Sequence, residues 1–115
     1  MFDLDNVVAE EGKENDLEEV VMGLIINSGQ ARSLAYSALK QAKQGDFAAA
    51  KATMEQSRAA LSDAHRVQTQ LLESDEGEGI MKVSLVLVHA QDHLMTSMLA
   101  RELVAELIEL HEKVQ

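Results

Sequence analysis

Apolar residues recur at intervals of three and four positions along most of this chain, and this spacing predicts amphipathic α-helices. Three such stretches predict helices over about residues 16–44, 46–73 and 80–112. The first stretch carries a single apolar stripe, which consists of Leu17, Val20, Val21, Leu24, Ile25, Ser28, Ala31, Leu34, Ala35, Ala38, Leu39 and Ala42. The second has a buried side marked by Phe47, Ala50, Met54, Leu61, Ala64, Gln68 and Leu71. The pattern therefore predicts an all-α fold.

Polar residues and glycines mark where the predicted helices begin and end. Asp16 is placed to cap the first helix, with Glu19 three positions further on as its capping-box partner. Gly45 suits the position just after the end of that helix, and Asp46 suits the N-cap of the next. The acidic, glycine-rich run 74–79 forms the second connection and is too short for a calcium-binding loop. Because the connections are short, we expect an antiparallel three-helix bundle.

The third predicted helix has more apolar surface than a three-helix bundle buries. One stripe consists of Val83, Leu87, Ala90, Leu94 and Met98, and another of Leu85, Val88, Asp92, Met95, Leu99 and Leu103. A two-layer core needs only one stripe, so the other needs a second burial partner. Self-association is the simplest source of that partner.

Two glycines, Gly23 and Gly29, lie inside the first predicted helix, where each costs about 1 kcal/mol relative to alanine. A close approach between helices would explain them, and so would backbone access beside a functional site. We favour helix packing for both, since interior glycines usually have a packing reason.

The composition of the 115-residue chain narrows the class of protein further. A chain of this length forms one domain, and 46% hydrophobic residues with only 3% aromatic ones indicate an aliphatic core. Proline is absent, so no helix interior carries its kink. Cysteine is absent as well, which excludes disulfides, zinc–thiolate sites and cysteine nucleophiles from this chain.

The net charge of −10 is concentrated near the start of the chain. Residues 1–19 hold eight acidic side chains and one lysine, and residues 1–15 are predicted to form a flexible acidic leader. No basic patch for a phosphate backbone is visible, so we expect no nucleic-acid partner. We also expect a cytoplasmic protein that does not insert into membranes, because the sequence shows no secretory signal and no apolar run of bilayer length.

The run His-Ala-Gln-Asp-His at residues 89–93 contains the candidate chemistry. His89, Asp92 and His93 occupy positions i, i+3 and i+4, which lie on one face of a helix. Burying three ionisable groups in the most apolar helix of the chain is costly unless they pair or bind a ligand. The other histidines, His65 and His111, lie among charged residues near helix ends, and we assign them no role.

Three interpretations of this cluster remain open from the pattern alone. In a structural role, the histidines hydrogen-bond across helices and Asp92 holds one of them. In a metal site, both imidazoles bind one ion with Asp92 as a third ligand, although no further ligand stands out downstream. In the third interpretation His89 is a nucleophile that takes a phosphoryl group on nitrogen. Donors to the phosphoryl oxygens would then come from Gln91, His93, Thr96 and Ser97.

Three segments of the chain resemble a known protein family. They are 18–33 (EEVVMGLIINSGQARS), 42–47 (AKQGDF) and 86–95 (VLVHAQDHLM). Each is similar to the IIA components specific for lactose, cellobiose or chitobiose in the phosphoenolpyruvate-dependent sugar phosphotransferase system. The resemblance extends over about residues 17–113, and the His-Ala-Gln-Asp-His-Leu run is its most specific part.

The resemblance implies a three-helix protomer that assembles as a homotrimer and acts as a phosphoryl carrier. It implies that His89 accepts phosphate from phospho-HPr and passes it to a cysteine of the IIB component. This relay would drive uptake of a β-linked disaccharide such as N,N′-diacetylchitobiose or cellobiose. Asp92 would meet its two symmetry mates on the trimer axis and share a divalent cation, expected to be Mg²⁺. Gln91 and His93 match the remaining motif positions and would line the site.

An alternative function is kept beside this one. The same features fit a non-catalytic, metal-assembled helical trimer with a structural or regulatory role. Acid-labile phosphate on the protein would distinguish the two, whereas trimer formation would not, because both hypotheses predict it.

Overall fold

The computed structural model describes residues 14–75, 79 and 82–115, and these residues form three long helices. Helix α1 spans Glu14–Lys43, α2 spans Phe47–Asp75 and α3 spans Leu85–Val114. The all-α fold predicted from the apolar spacing is therefore confirmed. Most of the predicted leader 1–15 and the middle of the predicted loop 74–79 lie outside the described residues.

The short connection between α1 and α2 satisfies backbone groups at both helix ends. Gly45 has a φ of +84°, and its N–H donates to the carbonyl of Ala42 at 2.9 Å. The Asp46 N–H donates to the carbonyl of Gln41 at 3.0 Å, which completes a Schellman C-cap. The Asp46 carboxylate then accepts a hydrogen bond from the Ala49 N–H at 3.2 Å and caps α2. The predicted roles of Gly45 and Asp46 are confirmed.

The starts of two helices differ from the prediction. Helix α1 begins at Glu14, so Asp16 lies inside the helix and is not its N-cap. Acidic residues are stabilising in the first turn of a helix, which favours this extension. Helix α3 begins at Leu85 rather than near residue 80, because the side chain of Ser84 accepts a hydrogen bond from the Leu87 N–H at 3.1 Å. This cap satisfies a backbone donor at the helix start, which an apolar residue does not.

The core consists of two apolar clusters separated by a layer of small residues. The first cluster is formed by Val21, Leu24, Ala64, Leu71, Ala90 and Leu94. The second is formed by Ala35, Ala38, Ala42, Ala50, Met54, Val104 and Ile108. The first cluster contains residues from the N-terminal halves of α1 and α3 and from the C-terminal half of α2, and the second cluster contains the reverse. Helices α1 and α3 therefore run in the same direction, and both are antiparallel to α2. The small layer between the clusters consists of Ser28, Ala31, Ser57 and Ser97, all fully buried.

Helix α3 buries one apolar face and leaves a second one exposed. Ala90 and Leu94 are fully buried on the first face. The second face, called the α3 stripe below, consists of Leu85, Val88, Met95, Leu99, Leu103, Leu107, Leu110 and Val114, which are 42% to 87% exposed. The prediction that α3 carries more apolar surface than one protomer buries is confirmed. Val83, which the spacing places on one stripe with Ala90 and Leu94, is 71% exposed and precedes the helix.

Candidate functional site

His89 and His93 lie one turn apart on α3 with their imidazole rings stacked. The ring centroids are 5.9 Å apart and the ring planes differ by 6°. His89 is exposed, whereas His93 is half-buried and faces α1. The structure therefore brings the two histidines of the motif together in one site, called the histidine pair below.

The ring of His93 packs against a glycine of α1. A β-carbon placed on Gly29 would lie 3.2 Å from Nε2 of His93, closer than an ordinary van der Waals contact. Gly29 therefore lets a side chain of α3 approach α1 closely, which agrees with the helix-packing interpretation and places this packing at the histidine pair. At Gly23 an added β-carbon would meet no atom of the described residues within 4 Å. Helix packing, which we favoured for both glycines, does not account for Gly23.

The pKa of His93 is lowered, first by burial and then by the positive charges of Arg32 and His89. An imidazole with a lowered pKa is neutral at neutral pH. Neutral His93 retains one N–H donor and one nitrogen acceptor, and it places no positive charge against the neighbouring ring. His93 is thus suited to hydrogen bonding beside His89 rather than to forming an ion pair.

Asp92 is exposed and lies in the middle of the α3 stripe, about 60° around the helix from His89. No ion pair or hydrogen bond among the described residues joins its carboxylate to either histidine, so the structural interpretation has no support. The same residues contain no group of three His, Asp or Glu side chains placed to hold a metal ion. Within one protomer, Asp92 and the histidine pair are therefore separate features.

Gln91 projects away from the histidine pair within the protomer. Its Oε1 accepts a hydrogen bond from Nε2 of Gln68, a buried residue of α2. Two positions along a helix correspond to a rotation of about 200°, so Gln91 and His89 leave α3 on nearly opposite sides. Together with Leu87 and Val88, Gln91 lines a groove of about 390 Å³ between the end of α2 and the start of α3. One protomer alone does not place Gln91 beside His89.

Two predicted donors to a phosphoryl group are engaged elsewhere. The Thr96 hydroxyl donates to the backbone carbonyl of Asp92 at 2.8 Å, within its own helix. Ser97 is fully buried in the small layer of the core. Of the four donors suggested by the sequence, His93 is the one that a single protomer places at His89.

Two residues of the site received no functional role from the sequence. Gln68 was predicted only as a buried residue of the second helix, and Arg32 was not singled out. The spacing holds a signal for Arg32, since it follows Gly29 by three positions and so shares a face of α1 with it. Only the packing of α1 against α3 shows that this face meets the histidine pair.

Comparisons with known proteins agree with one another. The family described as "PTS system, Lactose/Cellobiose specific IIA subunit" matches residues 19–112. The chain is 76% identical over 115 residues to the N,N′-diacetylchitobiose-specific EIIA component of Escherichia coli (strain K12), covering 100% of this chain and 99% of that protein. It is 40% identical over 102 residues to the cellobiose-specific EIIA component of Lactococcus lactis (strain IL1403), covering 88% and 87%.

Solved structures give the same result. The IIA(chitobiose) chain in the Escherichia coli IIA(chitobiose)–HPr complex is 80% identical with a TM-score of 0.76, covering 92% of this chain and 98% of that one. The cellobiose-specific enzyme IIA of Bacillus anthracis is 43% identical with a TM-score of 0.80, covering 84% and 89%.

The three-helix fold and the exposed histidine stacked on a half-buried one define a small helical protein with an accessible imidazole. The chain belongs to the lactose/cellobiose-specific IIA family of the sugar phosphotransferase system. The resemblance identified in the sequence is confirmed, and with it the activity of a phosphotransferase system IIA component, which is that of a phosphoryl carrier. The alternative of a non-catalytic, metal-assembled trimer is not favoured.

Proposed function

We propose that His89 carries the phosphoryl group, which it receives from phospho-HPr and passes to a cysteine of the IIB component. The observation that carries this proposal is the exposed ring of His89 stacked on the half-buried ring of His93. A relay between two protein partners needs a nucleophilic nitrogen that both partners can reach. The solved complex of a relative with HPr supports HPr as the donor.

Each transfer exchanges one bond to phosphorus for another. The nitrogen lone pair of neutral His89 attacks the phosphorus of the phosphohistidine on HPr, and the donor imidazole keeps the electron pair of the broken N–P bond. In the second transfer a cysteine thiolate of IIB attacks the phosphorus, and the N–P electron pair returns to His89. Protons that restore the neutral imidazoles exchange with solvent, so the protein mainly positions the reacting atoms.

His93 positions the His89 ring for both transfers. Its own ring is held from the other side by the contact with Gly29 on α1. Stacking on a fixed, neutral imidazole limits the orientations of His89 without adding a charge that would compete for the phosphoryl group. The N–H of His93 is in addition a donor for a phosphoryl oxygen.

The exposed α3 stripe supports assembly as a homotrimer around α3. Its eight large apolar side chains would be buried between copies, which is favourable in water. Asp92, in the middle of the stripe, would then meet its two copies on the three-fold axis. Three carboxylates at one axis repel unless a cation or protons neutralise them, and oxygen ligands suit a hard divalent cation. We assign Asp92 as the shared ligand of one Mg²⁺, which would supply the neutralising charge.

A three-fold assembly also gives Gln91 a place beside a histidine. Relative to Asp92, His89 lies about 60° to one side of α3 and Gln91 about 100° to the other. In a rotational trimer, one flank of each α3 meets the opposite flank of the next, so Gln91 faces the histidine pair of a neighbouring copy. Because Gln68 donates to its amide oxygen, the amide NH₂ of Gln91 is the group left to donate to the phosphoryl oxygens.

The proposal also covers the sugar that the system transports and the cellular location of this protein. The Escherichia coli relative is specific for N,N′-diacetylchitobiose, and we propose the same sugar for the system that this chain serves. We also propose a cytoplasmic location, as expected from the sequence. Among the described residues, no helix has the length and apolar character needed to cross a bilayer.

The test is phosphorylation in a reconstituted series of phosphoenolpyruvate, the general enzyme of the system, HPr and this protein. We expect acid-labile phosphate on the wild type and none on His89→Gln. His65→Gln is the matched control, since it removes an exposed histidine of α2, and it should be labelled as the wild type is. A folded His89→Gln protein that still became labelled would overturn the assignment.

A further inference from the structure

Arg32 is a positively charged residue beside the histidine pair that the transfer chemistry above does not use. It lies on α1 and is exposed. Within the described residues it forms no ion pair, the pairs there being Lys51–Glu112 and Arg58–Glu55. In a chain of net charge −10, an exposed cation that no carboxylate of these residues neutralises is available for an anionic ligand.

The packing of α1 against α3 places Arg32 near the surface that the histidine pair shares. Gly29 contacts His93, and Arg32 lies one turn further along the same face of α1. Helical side chains lean towards the N-terminus of their helix, so the long side chain of Arg32 extends back towards the level of Gly29. Because α1 and α3 run in the same direction, the exposed ring of His89 lies just beyond that level.

The charges at the site require a cation once His89 is phosphorylated. A phosphoryl group on His89 adds up to about two negative charges at an exposed position of a chain whose net charge is already −10, and a nearby cation stabilises that added charge. Arg32 is placed to supply that cation, because it lies one turn beyond Gly29 on the face of α1 that meets His93. A guanidinium also presents several N–H donors in a plane that matches phosphoryl oxygens.

We propose that Arg32 binds the phosphoryl group while His89 carries it, through charge-assisted hydrogen bonds from the guanidinium to the phosphoryl oxygens. This inference rests on His89 as the carrier. The transfer is otherwise unchanged, since the N–P bond to His89 forms as the donor's N–P bond breaks, and Arg32 neither gains nor loses a proton. By contacting only the phosphorylated state, Arg32 shifts the equilibrium with phospho-HPr towards this protein.

The test measures the phosphoryl group itself by ³¹P NMR on purified phosphorylated protein. A nearby cation favours the dianion, so Arg32→Gln should raise the pKa of the phosphoryl group by about half a unit. Arg32→Lys should restore part of the shift, since it keeps the charge but not the planar donors. In Arg32→Gln the equilibrium constant for phosphoryl transfer from phospho-HPr should also fall about threefold, because half a pKa unit corresponds to a factor of about three.

The matched control is Arg66→Gln, which removes the same charge from an exposed arginine. Arg66 lines a groove with Gly23 and Asn27, on the side of α1 away from Gly29, and its loss should leave the phosphoryl pKa unchanged. A second measurement needs no variant: the Nε–Hε signal of Arg32 in the wild type should shift when the protein is phosphorylated.

Two results would overturn the inference. One is an unchanged phosphoryl pKa in Arg32→Gln together with an unmoved Arg32 signal in the wild type. The other is slower transfer from phospho-HPr with an unchanged phosphoryl pKa, which would place Arg32 against the partner instead. Absence of phosphate from His89 in the wild type would be a different failure, because it would remove the carrier itself.

Discussion

At the residue scale, the half-buried ring of His93 lies between His89 on its own helix, α3, and Gly29 on α1. It stacks on His89 and contacts Gly29 at the same time. A side chain at position 29 would therefore act on the reactive histidine through His93. The two interior glycines of α1 separate this effect from helix propensity, because a β-carbon added to Gly29 would crowd His93, whereas one added to Gly23 would meet no atom of the described residues within 4 Å.

Gly29→Ala and Gly23→Ala form a matched pair. Each should gain about 1 kcal/mol of helix propensity. In Gly29→Ala the new β-carbon displaces His93, so most of this gain is lost, and the rate of phosphorylation by phospho-HPr should fall severalfold. In Gly23→Ala the free energy of unfolding should rise by about 0.5–1 kcal/mol with an unchanged rate. Urea unfolding and the transfer assay measure both effects, and equal transfer rates in the two variants would contradict the positioning role of His93.

His93 also makes stability depend on pH. Its pKa is lowered in the folded state, so on acidification the unfolded chain binds a proton before the folded chain does. The free energy of unfolding should be fully retained above about pH 6.5 and fall as the pH drops below it towards the lowered pKa. His93→Gln should remove this part of the dependence, as measured by urea unfolding at several pH values. The ordinary pKa of histidine is about 6.5. If the free energy of unfolding fell equally steeply below this pH in the wild type and in His93→Gln, the lowered pKa of His93 would be contradicted.

At the scale of elements, the sequence predicts which face of each helix is buried better than it predicts where the helices begin or which side chains meet. The apolar spacing of α1 predicts its core face because burial of that face dominates the helix's stability. The start of α3 depends instead on the single hydroxyl of Ser84, which caps the helix. The apolar spacing continues before Ser84 and therefore predicts an earlier start. The pairing of Gln68 with Gln91, and of Arg32 with the histidine pair, depends on how faces of different helices align, which spacing along one helix does not contain.

The connection between α1 and α2 is an element whose local chemistry can be tested directly. Gly45→Ala should cost about 1–2 kcal/mol, because Gly45 has a φ of +84°, where a β-carbon is strained. The added atom would also lie 3.3 Å from Oε1 of Gln115. Gln44→Ala, at the exposed preceding residue, is the control and should change the free energy of unfolding by no more than about 0.5 kcal/mol. Equal urea midpoints for the two variants would contradict the left-handed C-cap.

At the scale of the whole molecule, one side of the three-helix bundle is apolar and exposed. The α3 stripe runs almost the full length of its helix, and the other two helices already cover the opposite face. Asp92 is an exposed acidic residue within this stripe, so assembly around α3 would bring carboxylate repulsion together with a large gain from apolar burial. The proposed cation would neutralise the carboxylates, whereas apolar burial would be the main source of stability of the assembly.

The variant Asp92→Leu separates the contribution of the proposed cation from that of apolar burial along the α3 stripe. An apolar side chain replaces three repelling carboxylates, so the trimer should be retained or strengthened and should no longer respond to a chelator. Leu99→Lys is the opposite change on the same stripe and should favour monomers. Sedimentation velocity with and without chelator measures both. Dissociation of Asp92→Leu into monomers would show that the cation, rather than apolar burial, holds the assembly together.

The small layer of the core divides the bundle into two halves that can open separately. Ser57 donates to the Ala31 carbonyl at 2.6 Å, but the hydroxyls of Ser28 and Ser97 are buried without a hydrogen-bond partner among the described residues. Such a layer transmits little cooperativity, because it buries little apolar area. Amide hydrogen exchange should therefore show separate opening free energies for the half that contains the histidine pair and for the far half. A partner that docks at the histidine pair would then deform the adjoining turns first, and the far half would serve as a stationary base while phosphate passes on.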